Sequence, residues 1–123
     1  MKNLSLEKTL KTPYIHFDAV NGHLLMEGRS IPEDAYMFYQ PIYQWLEQYV
    51  LENEKKTIIE FKLEYFNTSS SKCILEVLHI LEKINDKQPV EVKWFYDEDD
   101  EDMYESGENY SQIIELAIKF ETY

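Results

Sequence analysis

Glycine and cysteine are scarce in this sequence of 123 residues, which contains three glycines and one cysteine. Glycine-rich phosphate-binding loops are therefore excluded, and the sequence has no Walker A, Gly-x-Gly-x-x-Gly or Gly-x-Ser-x-Gly motif. Cys73 has no second cysteine with which to form an intrachain disulfide or a Cys-x-x-Cys site. His16, His23 and His79 lack the paired spacing of a helical zinc site. We therefore expect a protein without enzymatic activity, cofactor or metal.

Positive charge is scarce as well. Twelve Lys and Arg residues face 24 Asp and Glu residues, which gives a net charge of −12 at pH 7. A surface of this sign repels phosphate backbones and argues against direct binding to nucleic acid. Nowhere do about 18 apolar residues follow one another, and the first residues, MKNLSLEKTLKTP, lack the apolar core of a signal peptide. We expect a cytoplasmic protein that does not associate with membranes.

The apolar residues are sufficient for one folded core. They make up 44% of the chain, aromatic residues make up 15%, and the length fits a single domain over residues 1–123. Two short alternating runs, at 14–18 and 23–27, are joined around Asn21-Gly22, a dipeptide that suits a tight turn. They predict a β-hairpin.

A helix is predicted after the hairpin. Ser30 and Glu33 have the spacing of a capping box, so we expect the helix to begin there and to end near Asn53. Pro41 lies within this segment and lacks the N–H that a helix interior needs, which predicts a kink or two helical pieces.

The rest of the chain continues to alternate between strand and helix patterns. Residues 57–66 are dense enough in apolar side chains for a central strand covered on both faces. A helix at 69–85, a strand at 90–96, an acidic loop from 97 and a final strand at 113–120 follow, although the last segment also allows a helical turn. This order predicts an α/β fold, an open mixed β-sheet of about five strands with helices packed against it.

Four consecutive hydroxyl residues, Thr68, Ser69, Ser70 and Ser71, stand where the central strand passes into the next helix. Backbone N–H groups and the helix dipole favour an anion at such a position. Two interpretations are open. The hydroxyls are either ordinary helix caps or acceptors of a regulatory phosphate, which adds about −1.5 to −2 charges to one spot.

The acidic run at 97–102 allows three interpretations. Asp97, Asp99, Glu101 and Glu108 have the spacing of EF-hand ligands, but Asp102 occupies the sixth position, where the loop requires glycine. The run is otherwise a solvated loop or a surface that meets the basic residues of a partner protein. An acidic decoy that occupies the polyanion site of a basic protein is thus one alternative function, and a divalent-metal binder is another.

Aromatic residues cluster near the start of the first helix. Tyr36, Phe38, Tyr39 and Tyr43 are denser than one buried helical face can absorb. We expect part of this group to form an exposed patch beside the Thr68 turn, and an interface there.

The element order and the hydroxyl turn resemble the STAS domains of bacterial anti-sigma-factor antagonists, which implies a STAS-like sheet. The Asp-Ser-Ser-Gly pattern of those domains is replaced here by Asn67-Thr68-Ser69-Ser70. Three longer motifs resemble the SiaC-type regulatory phosphoproteins: GRSIPE at 28–33, EYFNTSSSK at 64–72 and WFYDEDDEDM at 94–103.

The second resemblance implies a function. It implies that Thr68 is the phosphoacceptor, that a SiaB-like serine/threonine kinase modifies it and that a PP2C-type phosphatase restores it. It further implies that the unphosphorylated form binds an effector, a GGDEF diguanylate cyclase. The residues around the acceptor are Asn67, Ser69, Ser70, Ser71 and Lys72, and the candidate partner-binding residues are Arg29, Tyr65, Asp99, Asp100 and Asp102.

Overall fold

Strands and helices follow one another along the chain in the computed structural model, which describes residues 1–84 and 86–123. The elements are β1 (Leu4–Leu6), β2 (Tyr14–Asp18), β3 (His23–Ser30), α1 (Ala35–Glu52), β4 (Thr57–Phe66), α2 (Thr68–Glu82), β5 (Val90–Tyr96), α3 (Glu101–Ile113) and β6 (Ile118–Thr122). Among the helices of the described residues, none has the length and apolar character needed to cross a membrane.

The strands form one mixed sheet with the spatial order β1-β2-β3-β4-β5-β6. Strands β1 to β3 are antiparallel neighbours, whereas β3 to β6 are parallel. The helices α1, α2 and α3 supply the three parallel crossovers, and right-handed crossovers that advance in one direction place all three helices on one face of the sheet. The predicted α/β class and open mixed sheet are confirmed. The sequence did not predict β1, because three residues are too few for an alternating pattern to show.

The core lies between the helices and one face of the sheet. In β4, the side chains from Thr57 to Leu63 alternate between buried and half-buried, and Glu64 on the less buried face is exposed. The prediction that both faces of this strand are covered is therefore wrong. Apolar side chains alternate with charged ones because only one face is packed.

The predicted hairpin is confirmed by the antiparallel pairing of β2 with β3. Helix α1, however, begins at Ala35 rather than after Ser30, because Asp34 provides the cap by accepting from the Met37 N–H at 3.1 Å. The helix is continuous through Pro41, so the prediction of two pieces is wrong. Pro41 is exposed, and water can reach the carbonyl that its ring leaves without a partner.

The C-terminal third departs most from the sequence prediction. The expected acidic loop ends at Asp100, which caps α3, and Glu101 and Asp102 occupy the first turn of that helix, where the helix dipole favours acidic side chains. The final strand begins at Ile118 rather than at 113. Helix α2 spans Thr68–Glu82, and the predicted helix end at Asn85 lies outside the described residues.

Candidate functional site: the Thr68 turn

The parallel strands bring the predicted site to one edge of the sheet, because their carboxyl ends point the same way. Strand β4 ends at Phe66 and α2 begins at Thr68, so Asn67 alone joins them. The Asn67 N–H donates to the carbonyl of Ser30 at 3.1 Å, which fixes the turn against the end of β3.

Asn67, rather than a hydroxyl residue, caps helix α2. Its side-chain oxygen accepts from the Ser70 N–H at 2.9 Å, and its carbonyl accepts from the Ser71 N–H at 2.9 Å. The interpretation of the hydroxyl residues as the helix cap is therefore wrong. Thr68 is the first residue of the helix and has no capping role to fill.

Two of the four hydroxyls are hydrogen-bonded within the protein. The hydroxyl of Ser70 is fully buried and accepts from Ser30 at 2.8 Å, and the oxygens of Ser30 and Tyr39 are also 2.8 Å apart. Because a hydroxyl has only one proton to donate, Tyr39 is the donor to Ser30. Burial raises the pKa of Tyr39, which keeps that donor protonated.

Ser71 is held by the third helix. The Tyr110 hydroxyl donates to the Ser71 carbonyl at 2.8 Å and lies 3.0 Å from the Ser71 hydroxyl. Burial is the main cause that raises the pKa of Tyr110 to about 12. Sequence reasoning placed Tyr39 only in an aromatic group near the Thr68 turn and did not connect Tyr110 with the site, because the hydrogen-bond partners lie on separate elements.

Thr68 and Ser69 differ from these two serines. Both side chains are exposed. Within the described residues, neither hydroxyl has a hydrogen-bond partner, and the exposed Lys72, one turn further along α2, forms no ion pair. The hydroxyls of Thr68 and Ser69 are therefore presented to solvent, whereas those of Ser70 and Ser71 are retained by hydrogen bonds within the protein.

The predicted aromatic patch is smaller than expected. Tyr36 is exposed, whereas Phe38 and Tyr43 are half-buried and Tyr39 is fully buried. The exposed Met37, which sequence reasoning missed, lies beside Tyr36 on α1. A groove of about 610 Å³ runs between α1 and α2 and contains Lys72 in its wall, so it reaches the vicinity of the Thr68 turn.

The remaining predicted partner-binding residues fall into two groups. Arg29 and Tyr65 are direct neighbours across β3 and β4, where the register shifts after Gly28, and both are exposed. Asp99, Asp100 and Asp102 instead line a separate open cleft of about 860 Å³. The side chains that surround this cleft are mostly acidic: Lys8, Glu27, Lys62, Leu63, Glu64, Asp97, Asp99, Asp100, Glu101, Asp102 and Tyr123.

The acidic cleft lies at the same edge of the sheet as the Thr68 turn, because Glu64 is near the end of β4 and Asp97 directly follows β5. Burial, followed by the charges of Glu27, Glu64 and Asp97, raises the pKa of Tyr123 to about 12. Asp100 is committed to capping α3, since its side chain accepts from the Met103 N–H at 3.0 Å. The EF-hand interpretation needs a loop over 97–108, but the chain is helical from Glu101. No group of three His, Cys, Asp or Glu side chains that could hold a metal ion is found among the described residues.

Together, the fold and the site define a small α/β domain that presents a threonine at a strand-to-helix turn and has an acidic cleft. Residues 6–123 match the family model described as SiaC family regulatory phosphoprotein, and the chain belongs to this family. The expected resemblance to SiaC-type proteins is thereby confirmed.

Relatives in Pseudomonas aeruginosa support the same assignment. An uncharacterized protein of strain UCBPP-PA14 is 31% identical over 113 residues, which cover 91% of this chain and 90% of that protein. The crystal structure of apo-SiaC superimposes with a TM-score of 0.90 at 28% identity and covers 98% of this chain and 99% of the other. A crystal structure of the diguanylate cyclase SiaD in complex with its activator SiaC gives a TM-score of 0.91 at 28% identity, with the same coverage of both chains.

Proposed function

We propose that this chain, acting as a single cytoplasmic domain over residues 1–123, is a non-enzymatic partner-switching protein controlled by phosphorylation of Thr68. A SiaB-like serine/threonine kinase adds the phosphate and a PP2C-type phosphatase removes it. The unphosphorylated form binds and regulates a GGDEF diguanylate cyclase. Membership of a family of regulatory phosphoproteins and the relative's complex with SiaD support this proposal.

The observation that carries the proposal is the position of the Thr68 hydroxyl. It is exposed at the start of α2, while Asn67 caps the helix and the hydroxyls of Ser70 and Ser71 are engaged by Ser30 and Tyr110. A phosphate on Thr68 would therefore break no hydrogen bond within the described residues. Its negative charge would also be favourable at the helix N-terminus, so the domain would stay folded.

The effector surface in this proposal combines the Thr68 turn with the exposed residues that flank it. These are Arg29 and Tyr65 at the ends of β3 and β4, and Tyr36 and Met37 on α1. A phosphate placed in this surface must lose its water when the effector docks. A buried charge without a partner costs about 2 kcal/mol or more, which corresponds to roughly 30-fold weaker binding.

The test compares binding of the diguanylate cyclase to the unphosphorylated chain, the stoichiometrically phosphorylated chain and Thr68→Ala by calorimetry. We expect the unphosphorylated chain and Thr68→Ala to bind, and phosphorylation to weaken binding roughly 30-fold. Ser5→Asp is the matched control, because Ser5 is exposed on the β1 edge of the sheet and its substitution adds charge far from Thr68. Equal affinities of the phosphorylated and unphosphorylated chains would contradict the proposal.

A second candidate function, the acidic decoy, is favoured by the acidic cleft around Asp99 and Asp102. A decoy would bind a basic protein through that cleft, and the binding would weaken steeply with salt. The two functions separate in one experiment. Capture of a basic protein that is lost at high salt but indifferent to phosphorylation of Thr68 would favour the decoy.

A further inference from the structure

Three buried hydroxyls form a continuous hydrogen-bonded chain behind the Thr68 turn. Tyr39 on α1 donates to Ser30 at the end of β3, and Ser30 donates to Ser70 in the first turn of α2, with 2.8 Å in each step. All three side chains are fully inaccessible to solvent. The chain therefore links three elements at the point where the presented hydroxyls begin.

Opening of the first turn of α2 would break this chain. Ser70 would leave its pocket, and the Ser30 hydroxyl would lose its acceptor inside the protein. A buried polar group without a partner is costly, so the chain opposes opening. The hydrogen bond from the Asn67 N–H to the Ser30 carbonyl, 3.1 Å long, joins the same two segments through the backbone.

We propose that Ser30 is a positioning residue for acceptor selection, and the inference rests on the proposed function. The Ser30 hydroxyl, which accepts from Tyr39, donates to Ser70, keeps the first turn of α2 closed and so withholds Ser70 from the kinase. Thr68 and Ser69 point outward and remain presented. Selection of the acceptor in this cluster is therefore a property of the substrate fold as well as of the kinase.

The proposal predicts the size of the effect. Ser70 can be phosphorylated only from the open state, so its rate scales with the fraction of molecules in which the turn is open. Removal of one buried hydrogen bond raises that fraction about tenfold. Phosphorylation of Ser69 does not need opening and should not change.

The experiment uses Ser30→Ala, which removes the hydroxyl that donates to Ser70. Tyr49→Phe is the matched control for loss of a buried hydrogen bond, because the buried Tyr49 hydroxyl lies 2.7 Å from the Thr57 hydroxyl near the other end of α1. Both substitutions are made in the wild-type chain and in Thr68→Ala, where weak phosphorylation of the serines becomes measurable. A SiaB-like kinase is then added, and phosphate at each residue is quantified by mass spectrometry.

Amide hydrogen exchange on the unphosphorylated proteins gives a second readout, which needs no kinase. We expect Ser30→Ala to raise phosphate on Ser70 about tenfold, to leave Ser69 unchanged and to speed exchange of the Ser70 amide about tenfold. Tyr49→Phe should lower the melting temperature similarly but change neither readout at Ser70. If Ser30→Ala is poorly folded, Ser30→Cys keeps a side chain of similar size with a much weaker donor.

The outcomes separate the two proposals. Phosphate on Thr68 in the wild-type chain, with equal Ser70 phosphorylation and equal Ser70 exchange in Ser30→Ala and Tyr49→Phe, would overturn this inference and leave the proposed function standing. Absence of phosphate on wild-type Thr68 would overturn the proposed function and acceptor selection together. Faster exchange in Ser30→Ala alone would still assign Ser30 to closing the turn.

Discussion

Gly107 controls how closely helix α3 approaches the sheet, and Gly107→Ala tests that approach. A Cβ atom at this position would lie 2.6 Å from the Phe120 ring and 2.6 Å from Cδ1 of Trp94. Trp94 is fully buried, and its indole N–H donates to the Met103 carbonyl at 2.9 Å. Neither ring can move away from the added methyl group without displacing the side chains packed against it.

The expected destabilisation follows from opposing contributions. In an exposed helix interior, alanine would be more stable than glycine by about 1 kcal/mol. Overpacking a core costs about 1–3 kcal/mol, and displacement of Trp94 from the Met103 carbonyl costs about 1–3 kcal/mol more. The steric cost prevails, and we expect a net loss of roughly 2 kcal/mol, which lowers the melting temperature by about 8 °C.

Urea unfolding followed by tryptophan fluorescence measures this loss. Asn109→Ala is the control, because Asn109 is exposed on the same helix and its substitution should leave stability unchanged or slightly raised. A Gly107→Ala protein as stable as the wild type would refute the close approach. Displacement of α3 would also affect the Thr68 turn, because this helix carries Tyr110, which is hydrogen-bonded to Ser71.

Two further substitutions test the ends of α2. Asn67→Ala removes the cap that accepts from the Ser70 N–H at 2.9 Å, and we expect a loss of about 1 kcal/mol in urea unfolding, whereas Asn67→Asp should retain most of the stability. Burial alone would raise the pKa of Glu82. The hydrogen bond from the Glu115 N–H and the interaction with His79 outweigh burial, so the pKa of Glu82 lies below its ordinary value of 4.5. A lowered folded-state pKa means that the contribution of Glu82 is present above pH 4.5 and is lost as the pH falls through the folded-state pKa. The unfolding free energy of Glu82→Gln should therefore depend less on pH below pH 4.5 than that of the wild type, and identical pH profiles would contradict this assignment.

The sequence predicts the elements whose apolar residues repeat with a clear period. Strands β4 and β5 and helix α2 are predicted within a few residues because their buried positions are mostly Ile, Leu, Val and aromatic residues. Helix α3 was missed because its buried residues are Met103, Gly107 and Tyr110, and a glycine gives no apolar signal. The acidic residues before it suggested a loop, although their physical role is to begin a helix.

The candidate site shows the same limit. The hydroxyl turn is visible in the sequence because its residues are consecutive, but the division into presented and retained hydroxyls is not. Ser70 is joined to Ser30 across 40 residues and Ser71 to Tyr110 across 39. Side-chain pairs at this separation depend on how the helices cross the sheet, which periodicity does not specify.

The charge distribution explains how one phosphate could change binding in a protein that is already acidic. Under the proposed switch, phosphorylation changes the net charge only from −12 to about −14, a small change for the molecule as a whole. Near Thr68, however, the exposed charges are few and mixed: Lys72 lies one turn along α2, Arg29 lies at the end of the neighbouring strand, and Glu64 lies near the end of β4. A phosphate on Thr68 would carry more charge than any one of these side chains. A docked partner responds to that local charge, because distant surface charges are screened within about 8 Å.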